Sequence, residues 1–461
     1  MNSSRQRTII PVQVHNNNFV RQFVLILVVF LFILPYFGDY GILMLAGFSA
    51  TFLLILLWRP PLGLIIFYLL ISAGTILVEK TETSILDPGT WSVTYEGMIS
   101  FAFVAGSIFL IFYNIKKISF IKTIVKTPGL LVFLAFIFVC LLETVVFHSE
   151  KIASFKELIK IAAIILFYAV AVLYFRREDI YIIQNSLLLV LAALVAYSIM
   201  IYVTQPSAII DVGGIGISRL SPGILSAVDL SVWIAVLFPI LITKIMQENR
   251  IIRIVLWSIA VVISGYMMTR FSARASVFSL AIALLIYQVA RRKYVLASIL
   301  AVSFGALILL TPWKNMVIDI FYPYGNSTIL SRVEGIWAPI LKSDISNIIF
   351  GVGARGFGEY LYKISGWYFT AAHNIYLNIL VENGIFAVIL FVLANMQILF
   401  KMIKKYRNNA RLLLNVVPLI VLLFSGLTST INFTLFYLQI FMFLAINLIA
   451  ERPRITMSLS V

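Results

Sequence analysis

Thr370-Ala371-Ala372-His373-Asn374-Ile375-Tyr376-Leu377-Asn378-Ile379-Leu380-Val381-Glu382-Asn383-Gly384 joins a polar stretch, 312–372, to an apolar run that continues to Phe400. An α-helix rises about 1.5 Å per residue, so about twenty apolar residues cross a bilayer. The junction therefore reads as a polar loop feeding a membrane-spanning helix. It also carries His373, one of 3 histidines in the chain.

The same ruler, moved outward, predicts about fourteen spans, near 19–38, 41–58, 61–79, 98–115, 129–148, 157–175, 180–203, 225–243, 252–269, 273–290, 294–311, 373–400, 412–429 and 433–450. Composition agrees. Of 461 residues 62% are hydrophobic and 12% charged, against roughly 25% charged in soluble domains, and the mean hydropathy is +1.04. The expected fold is an all-α polytopic membrane protein, a single membrane-embedded domain over 1–461 with 312–372 as one large external loop. Arg5 and Arg7 precede an apolar stretch of spanning length with no small-residue cleavage site, so a cleaved leader is not expected. Cys140 is the only cysteine, which excludes an intramolecular disulfide. No repeat of 20–50 residues is visible.

Charge sets the orientation. With the N-terminus inside, 23 of the 35 basic residues fall in cytoplasmic segments and every such loop is basic. The formal charge of +16 is thus mostly a topology signal, and nucleic acid is not an expected partner. Both termini are expected in the cytoplasm. The 312–372 loop is then external; its length points to function. It contains Trp313, Tyr322, Tyr324, Trp337, Trp367 and Tyr368, and the spacing of Val333, Ile336, Trp337, Ile340 and Leu341 predicts a helix on the outer membrane face.

Arginines on the outer side run against this charge rule. Arg270 and Arg274 flank a tight hairpin, Thr269-Arg270-Phe271-Ser272-Ala273-Arg274, and Arg219 and Arg332 lie in two other external segments. One reading is snorkelling, with the aliphatic stem in lipid and the charge in water. The other is anion capture, because a guanidinium fork matches phosphate oxygens bidentately. Glu143 and Asp229 are candidate partners for these arginines.

His373 opens the twelfth span. The positive end of a helix dipole disfavours imidazolium there, leaving the neutral ring that a general base needs; an interfacial histidine without a task is the alternative. Asn374, Asn378 and Glu382 follow at i, i+4 and i+8 as one polar stripe. Glu382 is expected roughly 13 Å along the helix, where an ionisable group faces the bundle interior. A structural seam of hydrogen bonds between helices explains the stripe equally well. No Gly-rich phosphate loop and no cluster with metal-ligand spacing is present, so neither ATP-driven work, a metal site nor another cofactor is expected.

His373-Asn374-x-Tyr376-Leu377 followed by Glu382-x-Gly384 resembles the hallmark of the O-antigen ligase and O-antigen polymerase (Wzy-type) superfamily. Phe350-Gly351-Val352-Gly353, the Arg332…Trp337 helix, the Ser-x-Arg ending in Arg274 and the Arg219-x-x-x-Gly223 segment fall in that family's order, and the resemblance covers about 205–400. The resemblance implies a GT-C-like bundle with short helices in its large loop. It also implies a metal-independent membrane glycosyltransferase of the bacterial inner membrane, active on the periplasmic side. The donor would be a polyprenyl diphosphate-linked oligosaccharide and the acceptor a glycan hydroxyl, with membrane lipids around the site and a chain-length regulator as a further candidate partner. Arg219 and Arg274 would hold the diphosphate, Arg332 would close over it, and His373 would take the acceptor's proton. Asn374, Tyr376, Asn378 and Glu382 would support the site. The sequence departs from the family's adjacent Ser-Arg by reading Ser272-Ala273-Arg274, so Arg270 shares the candidacy for the phosphate.

A polymerase is favoured over a ligase acting on lipid A-core, because the expected spans outnumber those of the ligases. A flippase for lipid-linked sugars is the non-enzymatic alternative. It would need two pseudo-equivalent halves and polar residues in both leaflets, whereas here the unusual polar residues gather on one face.

Overall fold

Glycine and proline punctuate a chain otherwise made of apolar helix formers, and the helices follow that punctuation. A computed structural model describes residues 41–77, 95–114, 118–147, 151–204, 209–211, 218–220, 227–271, 274–310, 332–353, 356–366, 368–369, 371–429 and 433–451. Among these residues the first seven α-helices are α1 (Gly41–Trp58), α2 (Pro60–Leu77), α3 (Tyr95–Asn114), α4 (Ile118–Lys126), α5 (Leu130–Phe147), α6 (Lys151–Tyr174) and α7 (Ile180–Thr204). A two-stranded ribbon follows, β1 (Ile209–Asp211) against β2 (Ser218–Leu220), antiparallel with Ile210 opposite Arg219. Then come α8 (Ala227–Leu237), α9 (Pro239–Gln247), α10 (Ile251–Arg270), α11 (Arg274–Ala290) and α12 (Tyr294–Leu310). A π-helical turn, Val333–Trp337, continues into α13 (Ala338–Leu341), followed by α14 (Ile345–Phe350) and α15 (Phe357–Ser365). The chain closes with α16 (Ile375–Tyr406), α17 (Ala410–Leu414), α18 (Val417–Ser425) and α19 (Phe433–Ala450). The β1–β2 ribbon is the one departure from an all-helical chain among the described residues.

Burial separates inner from outer helices. In α19 every described residue from Leu435 to Ile446 is buried, including Phe436, Tyr437, Phe441 and Phe443; a helix apolar all round belongs at the centre of a bundle. It packs against α6, α7, α8 and α18. By contrast α10 leaves Ile251, Val255, Leu256 and Ile259 exposed, and Val262 is 69% exposed. Water would not tolerate so continuous an apolar face on a monomer, but the hydrocarbon of a bilayer does. The chain is a polytopic helical membrane protein.

Among the described residues six helical stretches are long and apolar enough to cross a membrane: Gly97–Asn114, Ser154–Tyr174, Arg177–Thr204, Val228–Gln247, Ile251–Arg270 and Ile375–Tyr406. That differs from the expected count of about fourteen. The other expected spans fall on the apolar helices α1, α2, α5, α11, α12, α17 with α18, and α19, whose fully described portions run 10–17 residues, except 19–38, which lies outside the described residues. Proline marks two of the helix starts. Pro239 starts α9 directly after the end of α8, and Pro418 lies in the first turn of α18, because a ring nitrogen has no hydrogen to donate and crowds the preceding turn.

Polar side chains pin the inner helices. Tyr68 donates to Gln439, whose amide donates to Ser72 at 3.1 Å. Tyr437 donates to Asn395 at 2.7 Å, and Asn415 to Asn447 at 2.8 Å. At the basic end of the bundle, Arg411 donates to the Met246 carbonyl at 2.7 Å, Tyr406 to the Asn447 carbonyl at 3.0 Å, and Lys405 pairs with Glu451. The opposite end carries the candidate residues.

The loop region has its own small core. Ile336, Ile340, Phe357, Leu361, Ala372 and Val381 form a buried cluster separate from the main one, with Trp337, Val352 and Leu377 packed on it. The helix predicted from the Val333–Leu341 spacing is thus present, but it buries Ile336 and Ile340 in this cluster. Trp313, Tyr322, Tyr324 and Trp367 lie outside the described residues.

Candidate functional site

Asn374 starts α16. Its backbone is extended (φ −155°, ψ 118°) and its side-chain oxygen accepts from the amides of Tyr376 and Leu377 at 2.9 and 3.1 Å. Asparagine is among the strongest residues for this position, because its carbonyl satisfies amides that have no helical partner. Asn378 turns back one turn and accepts from the Ala372 amide at 3.2 Å. Two members of the expected polar stripe are therefore occupied in shaping the backbone on either side of His373.

His373 itself sits at φ +52°, in the left-handed region. A non-glycine residue there stores strain on the order of 1 kcal/mol. The other such residue among those described, Arg292, lies just after the end of α11, where left-handed residues commonly close helices. His373 has no helix end to close. It is half-buried, and burial pushes its imidazole pKa below the ordinary histidine value, with the nearby Arg332 charge lowering it further. The direction agrees with the sequence reading; the leading cause is burial.

One turn, 425–428, holds this end of the bundle together. The Gly426 carbonyl accepts from the Ile375 amide at 2.8 Å, the Leu427 carbonyl from the Asn374 side chain at 3.0 Å, and the Thr428 carbonyl from Arg332 at 3.0 Å. Ser425 donates to the Ala275 carbonyl at 3.4 Å, one residue past Arg274. Ser276 is tied to Ser231, which also donates to the Met268 carbonyl at 3.3 Å. His373, Arg332 and the first turn of α11 are thereby brought to one place. Tyr376 anchors the arrangement with a 3.0 Å bond to the Leu423 carbonyl. The sequence reading missed this turn. Its only signal is a glycine, Gly426, closing an apolar run.

Arg270 ends α10 with its guanidinium 5.3 Å from the centroid of the Tyr202 ring, a cation–π contact. Its Nε is buried with no hydrogen-bond partner among the described residues. Packing on a partly buried ring, with Nε itself buried, argues against simple snorkelling for this arginine. Arg219 lies on β2, which contacts α10. Arg274 is the first residue of α11. Glu143, a suggested partner for the arginines, lies in α5 with Oε2 buried and unpaired among the described residues.

The Glu382 expectation changes. At Gly384 the helix is broken, with φ 74° and ψ 175°. The apolar residues 385–400, between the break and Lys401, measure about 24 Å, so a hydrocarbon core of about 30 Å reaches back only about as far as the break, and Val381 belongs to the loop's own core. Glu382 thus stands at the edge of the span and not deep within it. The break frees carbonyls that a continuous helix would have used. Those of Val381 and Glu382 accept instead from the amides of Val352 and Gly353, at 2.7 and 3.0 Å. The two backbones cross closely. A Cβ on Gly384 would lie 2.2 Å from the Ile349 oxygen, and one on Gly351, itself at φ +72°, would lie 2.6 Å from the Glu382 oxygen. Phe350-Gly351-Val352-Gly353 and Glu382-Asn383-Gly384 are two halves of one joint.

No group of three or more His, Cys, Asp or Glu residues suited to a metal ion occurs among the described residues. The class established by fold and composition is a polytopic helical membrane protein with a small folded unit inserted between two of its helices. No protein-family model matches the chain, and a search of curated proteins finds no match.

Proposed function

We propose that the chain is a metal-independent membrane glycosyltransferase that polymerises bacterial polysaccharide repeat units, of the O-antigen, capsule or exopolysaccharide kind. The donor is a polyprenyl diphosphate-linked oligosaccharide and the acceptor a sugar hydroxyl of another chain. In this reading about fourteen spans form a GT-C-like bundle, both termini are cytoplasmic, and 312–372 faces the periplasm.

The observation that carries the reading is the 425–428 turn, which holds Arg332, the residues flanking His373 and the head of the Arg274 helix together. The chemistry follows from those groups. His373, kept neutral by burial and by the Arg332 charge, accepts the proton of the attacking hydroxyl. The hydroxyl oxygen forms the new bond to the anomeric carbon as the bond to the diphosphate breaks. The diphosphate leaves with the electron pair, and the guanidiniums of Arg219, Arg274, Arg270 and Arg332 stabilise its growing charge.

The broken helix α16 favours a second reading, because transporters of lipid-linked or ionic cargo use discontinuous helices to line their binding sites. Here, however, the freed carbonyls are taken by loop amides and are not available to a cargo. That tilts the balance towards transfer.

The test is a gel of surface glycans from a deletion strain, complemented with wild type, His373→Ala or Arg274→Lys. Wild type alone restores a ladder in the proposed case. Lipid A-core bearing single repeats in the deletion strain marks a polymerase, and free lipid-linked polymer marks a ligase. Full ladders from His373→Ala remove the base from the mechanism.

A further inference from the structure

The helical stretch that begins at Arg332 has two faces. Ile336 and Ile340 are buried against Phe357 and Leu361 of α15. Glu334, Ala338 and Lys342 recur at i, i+4 and i+8, and together with Tyr360 and Ile364 of α15 they line an open cleft of about 580 Å³. That volume lies within the roughly 300–1,000 Å³ of small-molecule sites. From Glu334 to Lys342 the cleft runs about 12 Å by helical rise, longer than one sugar ring.

Its chemistry suits a hydroxyl-rich ligand. Glu334, Lys342 and Asp344 are exposed and make no ion pair with one another among the described residues. A carboxylate accepts two hydroxyls at once, and an ammonium donates to ring or hydroxyl oxygens. The Tyr360 hydroxyl accepts from Asn347 at 3.2 Å, which leaves its own hydrogen for a ligand oxygen. Ala338, Pro339 and Ile364 offer apolar surface for the C–H face of a sugar. Two carboxylates against one ammonium make the cleft a poor host for a diphosphate.

The cleft adjoins the site described above. Glu334 follows two residues after Arg332, and Trp337 donates to the Ala372 carbonyl at 2.9 Å, next to His373. We infer that this cleft binds the sugar residues of the acceptor glycan behind its attacking end, a subsite that rests on the transferase reading.

The probe is an end-labelled oligosaccharide made by partial hydrolysis of the host strain's own surface polysaccharide, titrated by fluorescence anisotropy into full-length protein in lipid nanodiscs. Wild type and His373→Ala should bind it equally. Glu334→Gln combined with Asp344→Asn changes two exposed side chains, should melt as wild type does, and should bind at least tenfold more weakly. Inorganic diphosphate should not displace the probe. Binding by the double variant within twofold of wild type, absence of binding by wild type, or displacement by diphosphate overturns the proposal. Transfer with an unchanged acceptor KM in the double variant also overturns the cleft while leaving the transferase reading intact. Wild type that binds the probe but never extends it with lipid-linked donor refutes the transferase reading and leaves a glycan-binding cleft.

Discussion

His373 combines a strained backbone with a half-buried ring, and the two can be separated by substitution. Glycine adopts φ +52° without penalty. His373→Gly should therefore hold or raise thermal stability, by up to about 1 kcal/mol, while abolishing polymer formation; a purely structural histidine would instead lose stability and keep activity. Protonation offers a second handle. The folded pKa lies below the unfolded one, so the unfolded chain binds the proton more readily. Stability from this group is complete above the ordinary value near 6.5 and is lost as pH falls through the lowered one. Activity that needs the neutral ring should persist below pH 6.5 before its acid limb appears. Arg332→Gln removes one of the two causes of the shift, so the acid limb should move to higher pH, measured as transfer rate against pH. An unmoved limb would remove Arg332 from the electrostatics of His373.

At the scale of elements, the joint between the Gly351 turn and the Gly384 break makes the most direct prediction. Gly384→Ala forces a Cβ to 2.2 Å from a backbone oxygen at a positive φ, and Gly351→Ala does nearly the same from the other side. Each should cost several kcal/mol, beyond the usual 1–3 kcal/mol of overpacking. Because both break one crossing, their effects should fall short of additivity. Gly265→Ala, with open space around it in α10, should be neutral or stabilise by up to about 1 kcal/mol. Detergent-solubilised melting curves distinguish these outcomes. The sequence made both glycine segments visible as separate motifs, yet their pairing was not legible, since a backbone contact between residues thirty positions apart leaves no trace in local spacing. The N-cap role of Asn374 was open to reading from residue type alone. Starting the helix at His373 instead places Asn374 inside its first turn, as the first member of a stripe.

For the molecule as a whole, composition made the membrane class legible, while the breaks at Pro239 and Gly384 inside two of the spans were not, because hydropathy windows average over them. Orientation is testable with the single native thiol, Cys140, which is buried. A cysteine at Tyr362, exposed on the loop unit, should react with a membrane-impermeant maleimide in spheroplasts. One at Arg407, at the basic end, should react only after permeabilisation; the reverse pattern would invert the topology. Transfer activity should also survive a chelator such as EDTA, since in the proposed mechanism arginines do the charge stabilisation. Its loss, restored by a divalent cation, would reinstate a metal.

The crossing of the 351–353 turn with the 381–384 break also constrains biogenesis. Carbonyls bared at the edge of a bilayer are costly to leave unpaired, and their partners lie earlier in the chain. In the proposed topology the loop unit, synthesised first, must already be across the membrane when α16 leaves the translocation channel. Its amides then meet the break as it emerges. Delaying the export of 312–372 should leave α16 trapped and exposed to membrane proteases, so quality control would read this single joint as the sign of a correctly inserted protein.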